Sequence, residues 1–250
     1  LIAAVIAAWH VLTVVSGLER FVLPPPTDVL RAGWETRAVL GRAVGVTMLE
    51  TAVGLAVALV LGVALAAAMD FSPLLRRALY PILVASQTVQ ILAVAPLFII
   101  WFGFGLLPKV IIVVLVCFFP LTVSTADGLT STEPDAVALL RAMGASRSEV
   151  WRKARLPSAL PSFFSGLRIA VTYAVVAATI GEWVGGSDGL GLYMLRSKNA
   201  LATDQVFVAM LITTLLSIGL FLVVWIAERL SVPWYHAPAR TAQWEAETGW

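Results

Sequence analysis

Long apolar stretches alternate with short polar links along the whole chain. A membrane-crossing helix needs about 20 mainly apolar residues, which predicts about six spans. They fall at residues 1–17, 44–69, 79–101, 109–125, 163–184 and 206–226. The first is read as a span rather than a signal-peptide core, because no basic segment precedes it and more spans follow. Pro96 predicts a break in the third. In the second, Gly54 and Gly62 either let a neighbouring helix come close or reflect ordinary membrane-helix composition. The link 19–45 opens with LPPPTDVL. Its prolines stiffen an extended entry, and Thr27 or Asp28 is expected to cap a short amphipathic helix carrying Val29, Leu30 and Trp34 along the outer interface.

The longest polar link, 126–162, has its own pattern. Thr132-Glu133-Pro134-Asp135 reads as a helix start, with a hydroxyl cap, a first-turn proline and acids at the positive dipole end. Gly144 sits where that helix would stop through a left-handed residue. Ser146-Arg147-Ser148-Glu149 is a capping box. It predicts a second helix running to Leu156 and ended by Pro157. Val137, Leu140 and Met143 share one stripe with Leu139 beside it, and Val150, Trp151 and Ala154 form a second apolar patch. Around them stand Arg147, Arg152, Lys153 and Arg155. Two readings stand: an ordered docking surface for another protein, or a loop folded on its own membrane domain with basic residues serving topology and lipid headgroups.

Composition agrees with the span pattern. The chain of 250 residues is 60% hydrophobic and 13% charged, far from the makeup of soluble domains. A net charge of +2 is too small to point to nucleic acid, and its distribution says more than its sum. Links after the second, fourth and sixth spans carry Arg76, Arg77, Arg141, Arg147, Arg152, Lys153, Arg155 and Arg229. The opposite links carry Arg20, Arg31, Arg37, Arg42, Arg196 and Lys198, with Lys109 at the start of the fourth span. This bias puts link 126–162, and with it both termini, in the cytoplasm. A single transmembrane domain, 1–230, is expected, followed by a cytoplasmic tail, 231–250, whose Trp234, Trp244 and Trp250 suit the interface. The lone Cys117 excludes an internal disulfide and a cysteine metal cluster, and is read as a packing residue. His10 and His236 lie at opposite ends. No phosphate-binding loop and no catalytic constellation is visible.

Polar residues in or beside spans are costly and mark candidate function. Gln87 and Gln90, three residues apart and so expected on one helical face, either line a solute pathway or join helices. Glu182 either faces a vestibule or sits in interfacial water, and Glu50 is expected at an interface or between helices. Tyr173 and Trp183 either stack on a planar solute or pack as membrane aromatics. The glycines of GEWVGGSDGLGLYM predict irregular backbone, read as an external gate or re-entrant loop.

Gly144, then Leu156-Pro157 at the matching distance, resembles the cytoplasmic signature of permease subunits of binding-protein-dependent ABC importers: EAA, three residues, Gly, nine residues, Ile, one residue, Leu-Pro. Ala138, Leu139 and Leu140 occupy the EAA positions and Ala154 the Ile position, so the Glu and the Ile are absent. AVAPLFIIWFGFGLLPK, the FFP at 118–120, LPSALP and FFSGLRIA are similar to the family too, over 23–230. The resemblance implies an all-α polytopic membrane protein of the type I ABC importer (MetI-like) fold, placed in a bacterial inner membrane. It implies a coupling helix that enters a groove of an ATPase subunit. Asp135, Ala138, Leu139, Leu140, Arg141, Gly144, Ala145, Arg147, Glu149, Trp151, Leu156 and Pro157 are then the coupling residues. The missing Glu removes any salt bridge assigned to that position, and leaves capping and apolar packing intact.

Further implied are a second permease copy, an ATPase dimer that holds the ATP and magnesium, an external solute-binding protein, and no cofactor or enzyme activity in this chain. FFSGLRIA followed by GEWVGG and GLG looks most like the branch importing nitrate, sulfonates, taurine and pyrimidine or riboflavin-type vitamin precursors. Within it the resemblance favours a heterocycle such as a hydroxymethylpyrimidine, with nitrate, sulfonate or taurine as the alternative. An anionic sulfonate calls for a basic residue inside a span, and Arg168 is the nearest. A secondary transporter or channel working alone is the competing class; it predicts broken helices in two related halves, whereas the chain has no obvious repeat.

Overall fold

The computed structural model describes residues 2–15 and 22–236. Trp244 and Trp250 of the expected tail lie outside the described residues. The described chain is helical: α1 (Ile2–Val15), α2 (Pro26–Glu35), α3 (Arg37–Phe71), α4 (Pro73–Ser86), α5 (Ile91–Phe102), α6 (Leu106–Thr130), α7 (Pro134–Ala142) and α8 (Arg147–Val150). A five-residue π turn, Trp151–Arg155, joins α8 to α9 (Leu156–Gly185). Then come α10 (Leu190–Asn199), α11 (Thr203–Ser231) and α12 (Pro233–His236).

Among the described residues, four helical stretches are long and apolar enough to cross a membrane: α3, α6, Arg147–Gly185 and α11. The bent pair α4–α5 makes up to five. The 14 residues of α1 reach roughly 21 Å, short of the hydrocarbon core, at 1.5 Å per residue. The rest of the first predicted span is outside the described residues.

The core is built on α3, α6 and α9. Along α3 the buried positions Thr47, Thr51, Gly54, Ala58, Gly62 and Ala66 recur every three or four residues and form one small-residue stripe. A Cβ on Gly54 would lie 2.5 Å from Val113 Cβ. On Gly62 it would lie 3.1 Å from Thr122 Oγ1. These glycines are therefore close-approach sites between α3 and α6, the first of the two readings. Ile112, Val113, Cys117 and Leu121 of α6 meet Ala170, Val171, Ala174 and Ala178 of α9 in the same cluster. Cys117 is a packing residue, its thiol reaching Ala170 O at 3.3 Å.

The third predicted span breaks elsewhere than expected. Pro96 sits inside α5, and the axis turns by 101° between α4 and α5. The hydroxyls of Ser86 and Thr88 donate to Leu83 O and Ala85 O, each at 2.7 Å. Hydroxyls that bond nearby carbonyls compete with the helix ladder, and Gln90 is extended (φ −72°, ψ 104°). Gln87 and Gln90 thus flank a corner instead of sharing a helical face. A correction of the same kind applies to α2. Its N-cap is Pro25, with no side-chain cap, so Thr27 and Asp28 lie inside the first turn. Val29 is buried while Leu30 and Trp34 are exposed.

Candidate functional site

The α7–Gly144–α8 corner forms largely as its local sequence dictates. Gly144 has φ +82°. The Gly144 and Ala145 amides donate to Arg141 O and Leu140 O, both at 3.0 Å, closing α7 through a left-handed residue. The capping box forms: the Ser146 amide donates to Glu149 Oε2 at 2.8 Å and the Glu149 amide to Ser146 Oγ at 3.3 Å. Ser146→Ala is expected to weaken this helix start by about 1 kcal/mol, read as faster hydrogen exchange at the 147–150 amides with unchanged exchange in α7.

Two local expectations fail. The cap of α7 is Glu133 without a side-chain bond; the Thr132 hydroxyl instead donates to Leu129 O at 3.3 Å. Nor does Pro157 end the second helix, which continues as Arg147–Gly185. The ladder widens ahead of the proline, with the Leu156 amide reaching Trp151 O five residues back. This π turn absorbs the donor that proline lacks and relieves the ring's clash.

The apolar patch around Val150 is also not free. Val150 is buried, and Trp151 stacks on Phe71 with centroids 5.7 Å apart. Arg147 donates to Phe71 O at 2.6 Å and lies over the Phe71 ring at 5.2 Å. Arg155 pairs with Asp70. Two basic residues of the cluster thus bind the C-terminal end of α3, where a cation satisfies orphan carbonyls. What the corner leaves open is Leu139, 62% exposed, and Met143, 75% exposed. Asp135, Ala138, Arg141, Gly144 and Arg152 are exposed around them; Leu140, Ala145 and Pro157 are half-buried, and Leu156 is exposed. Arg147→Glu is expected to free the corner from α3, with faster proteolysis between α7 and α9 and a cost of roughly 1.5–3 kcal/mol for the lost charged hydrogen bond.

Of the candidate pathway residues, Gln87 lines a cavity of about 350 Å³ at the α4–α5 corner with Ser86, Val94, Leu115 and Phe119. Gln90, Tyr173 and Trp183 are exposed. Glu182 does not face a vestibule. It is 0% exposed and takes hydrogen bonds from the Thr47 hydroxyl at 2.6 Å and the Gly191 amide at 2.5 Å. Glu50 is interhelical, accepting from Lys109 Nζ at 2.5 Å. Of the predicted irregular link only 186–189 is non-helical. Lys109 as a buried partner escaped the sequence reading, although a lysine opening an apolar run was its visible signal. Arg168 is paired with Glu228 at 2.9 Å.

Residues 58–236 match the family model "Binding-protein-dependent transport system inner membrane component". The chain is 38% identical over 217 residues to the formylaminopyrimidine transport permease protein ThiX of Halalkalibacterium halodurans, covering 86% of this chain and 87% of the relative. It is 28% identical over 241 residues to the taurine transport system permease protein TauC of Escherichia coli, covering 94% and 88%. Among solved structures, an inward-facing MetNI methionine ABC transporter has a similar fold (TM-score 0.54, 19% identity), covering 79% of this chain and 95% of that one.

Proposed function

As the chain belongs to the family of binding-protein-dependent transport system inner membrane components, the permease subunits of type I ABC importers, we propose that it passes a small nitrogen heterocycle of the formylaminopyrimidine class inward. Family membership implies a separate ATPase and a solute-binding protein as partners. The proposed docking point for the ATPase is the α7–Gly144–α8 corner, on the cytoplasmic side with both termini. A second copy completes the pathway. The bent α4–α5 pair and the side chains of Gln87, Gln90, Tyr173 and Trp183 are proposed to line it.

One observation carries the coupling role: Arg147, Trp151 and Arg155 fasten the corner to Phe71 and Asp70. A push on the exposed Leu139 and Met143 then moves α3 directly. Such a motion shifts the helices between inward- and outward-open states, and the permease supplies differential binding to the two, not bond chemistry. For the solute, the ThiX relative supports a heterocycle. The engagement of Arg168 by Glu228 and of Lys109 by Glu50 supports an uncharged solute over a sulfonate.

The test is uptake into vesicles holding this permease and its ATPase, with the binding protein outside. Formylaminopyrimidine uptake that requires ATP is expected. Uptake without the ATPase overturns the importer mechanism, and taurine uptake in its place overturns the solute.

A further inference from the structure

Three ionisable side chains are buried together where α3, α6, α9 and the start of α10 meet. Glu50 is 2% exposed, Lys109 4% and Glu182 0%. Lys109 Nζ donates to Glu50 Oε1 at 2.5 Å. Glu182 uses both oxygens, taking the Thr47 hydroxyl at 2.6 Å and the Gly191 amide at 2.5 Å. Thr47 Oγ1 in turn accepts the Leu190 amide at 2.9 Å. The first two amides of α10 therefore rest on Thr47 and Glu182, where negative charge suits the positive helix end.

Glu50 Oε2 is buried with no donor among the described residues. Thr47, which donates to Glu182, stands one turn before Glu50 on α3, and Lys109, which donates to Glu50, packs against Gly181 beside Glu182. Two carboxylates facing one lysine would leave a net negative charge in a low-dielectric interior, which is costly. Like charges in contact do not both ionise; one proton held between them removes the excess and supplies the missing donor. Of the charged groups near α10, Asp188 and Arg196 line a cavity with Val39 and Ala43 of α3, Lys198 is exposed in its last turn, and the Asp188 carboxylate accepts the Gly189 amide at 2.9 Å.

We propose that Glu50 and Glu182 share one proton beside Lys109, forming a charge-neutral latch that seats α10 on the α3–α6–α9 core. Glu50 lies on the same continuous helix as Asp70 and Phe71, where the cytoplasmic corner is fastened. The latch thus places α10 under the control of α3; this last link rests on the importer reading, and the proton does not.

The proton is tested on the purified full chain by infrared spectroscopy, with no transport involved. Glu50→Gln and Glu182→Gln should each remove a protonated-carboxyl carbonyl band, because the remaining acid then pairs with Lys109 as a carboxylate. Lys109→Met should strengthen that band, because the second carboxyl then takes a proton too. A band unchanged by all three overturns the shared proton. Should one glutamine variant fail to fold, the other reads the same band. Seating is tested by hydrogen exchange: Thr47→Val should speed exchange at the first amides of α10 by about 10-fold while α6 is unchanged, and equal protection in variant and wild type overturns the latch. If the importer reading fails, both readouts stand. If the latch fails, ATP-dependent uptake still reports on the importer.

Discussion

Gly144→Val is expected to abolish solute uptake while the chain still inserts and the ATPase still turns over. A Cβ at Gly144 would meet nothing within 4 Å, so there is no clash to unfold the protein. The cost is conformational: φ is +82°, and a β-branched residue there is strained by roughly 1–3 kcal/mol. The chain relieves that strain by reopening the corner. α7 then keeps its helix but loses its fixed angle to α8, and Leu139 and Met143 leave the proposed docking position. ATPase rate and uptake measured together in vesicles check this, with Gly144→Asn as the milder comparison because asparagine tolerates the left-handed region. Lost insertion would make Gly144 a folding residue, and retained uptake would remove the corner from coupling.

Gly166→Leu is expected to have the largest effect on the fold. A Cβ at this position would lie 2.7 Å from Pro120 O and 2.7 Å from Ser124 Cβ. The first is a backbone atom of α6 and cannot swing aside. Overpacking costs about 1–3 kcal/mol where neighbours can adjust; here α6 and α9 must separate through a whole side chain, so the loss exceeds that range. The thermal midpoint in detergent should fall sharply, with most of the protein aggregating. Gly41→Leu is the control, since nothing lies within 4 Å of a Cβ there. Equal midpoints for the two variants would mean that the α6–α9 seam is looser than these distances.

Much of this was legible in the linear chain. The spans at 44–69, 109–125, 163–184 and 206–226 correspond to α3, α6, α9 and α11, because apolar length alone decides what can cross a bilayer. The Gly144 corner and the Ser146–Glu149 box were legible because their bonds close within five residues, so the spacing carries the geometry. Local reading failed where two local solutions compete. Pro157 is an ordinary helix terminator, yet a π turn accommodates it. Pro96 is an ordinary break, yet it lies inside α5 and the chain turns ahead of it, between Ser86 and Ile91.

What the sequence determined by itself is therefore the membrane class, the order of the long helices and the glycine corner between α7 and α8. The tertiary structure alone decided which polar groups are used, and where. Arg147 binds a carbonyl 76 residues away, and Thr47 reaches Glu182 across 135 residues. The physical reason is that a buried polar group must find a partner wherever the packed helices bring one. That partner is set by which small-residue faces of α3, α6 and α9 meet, and no spacing along the chain encodes it.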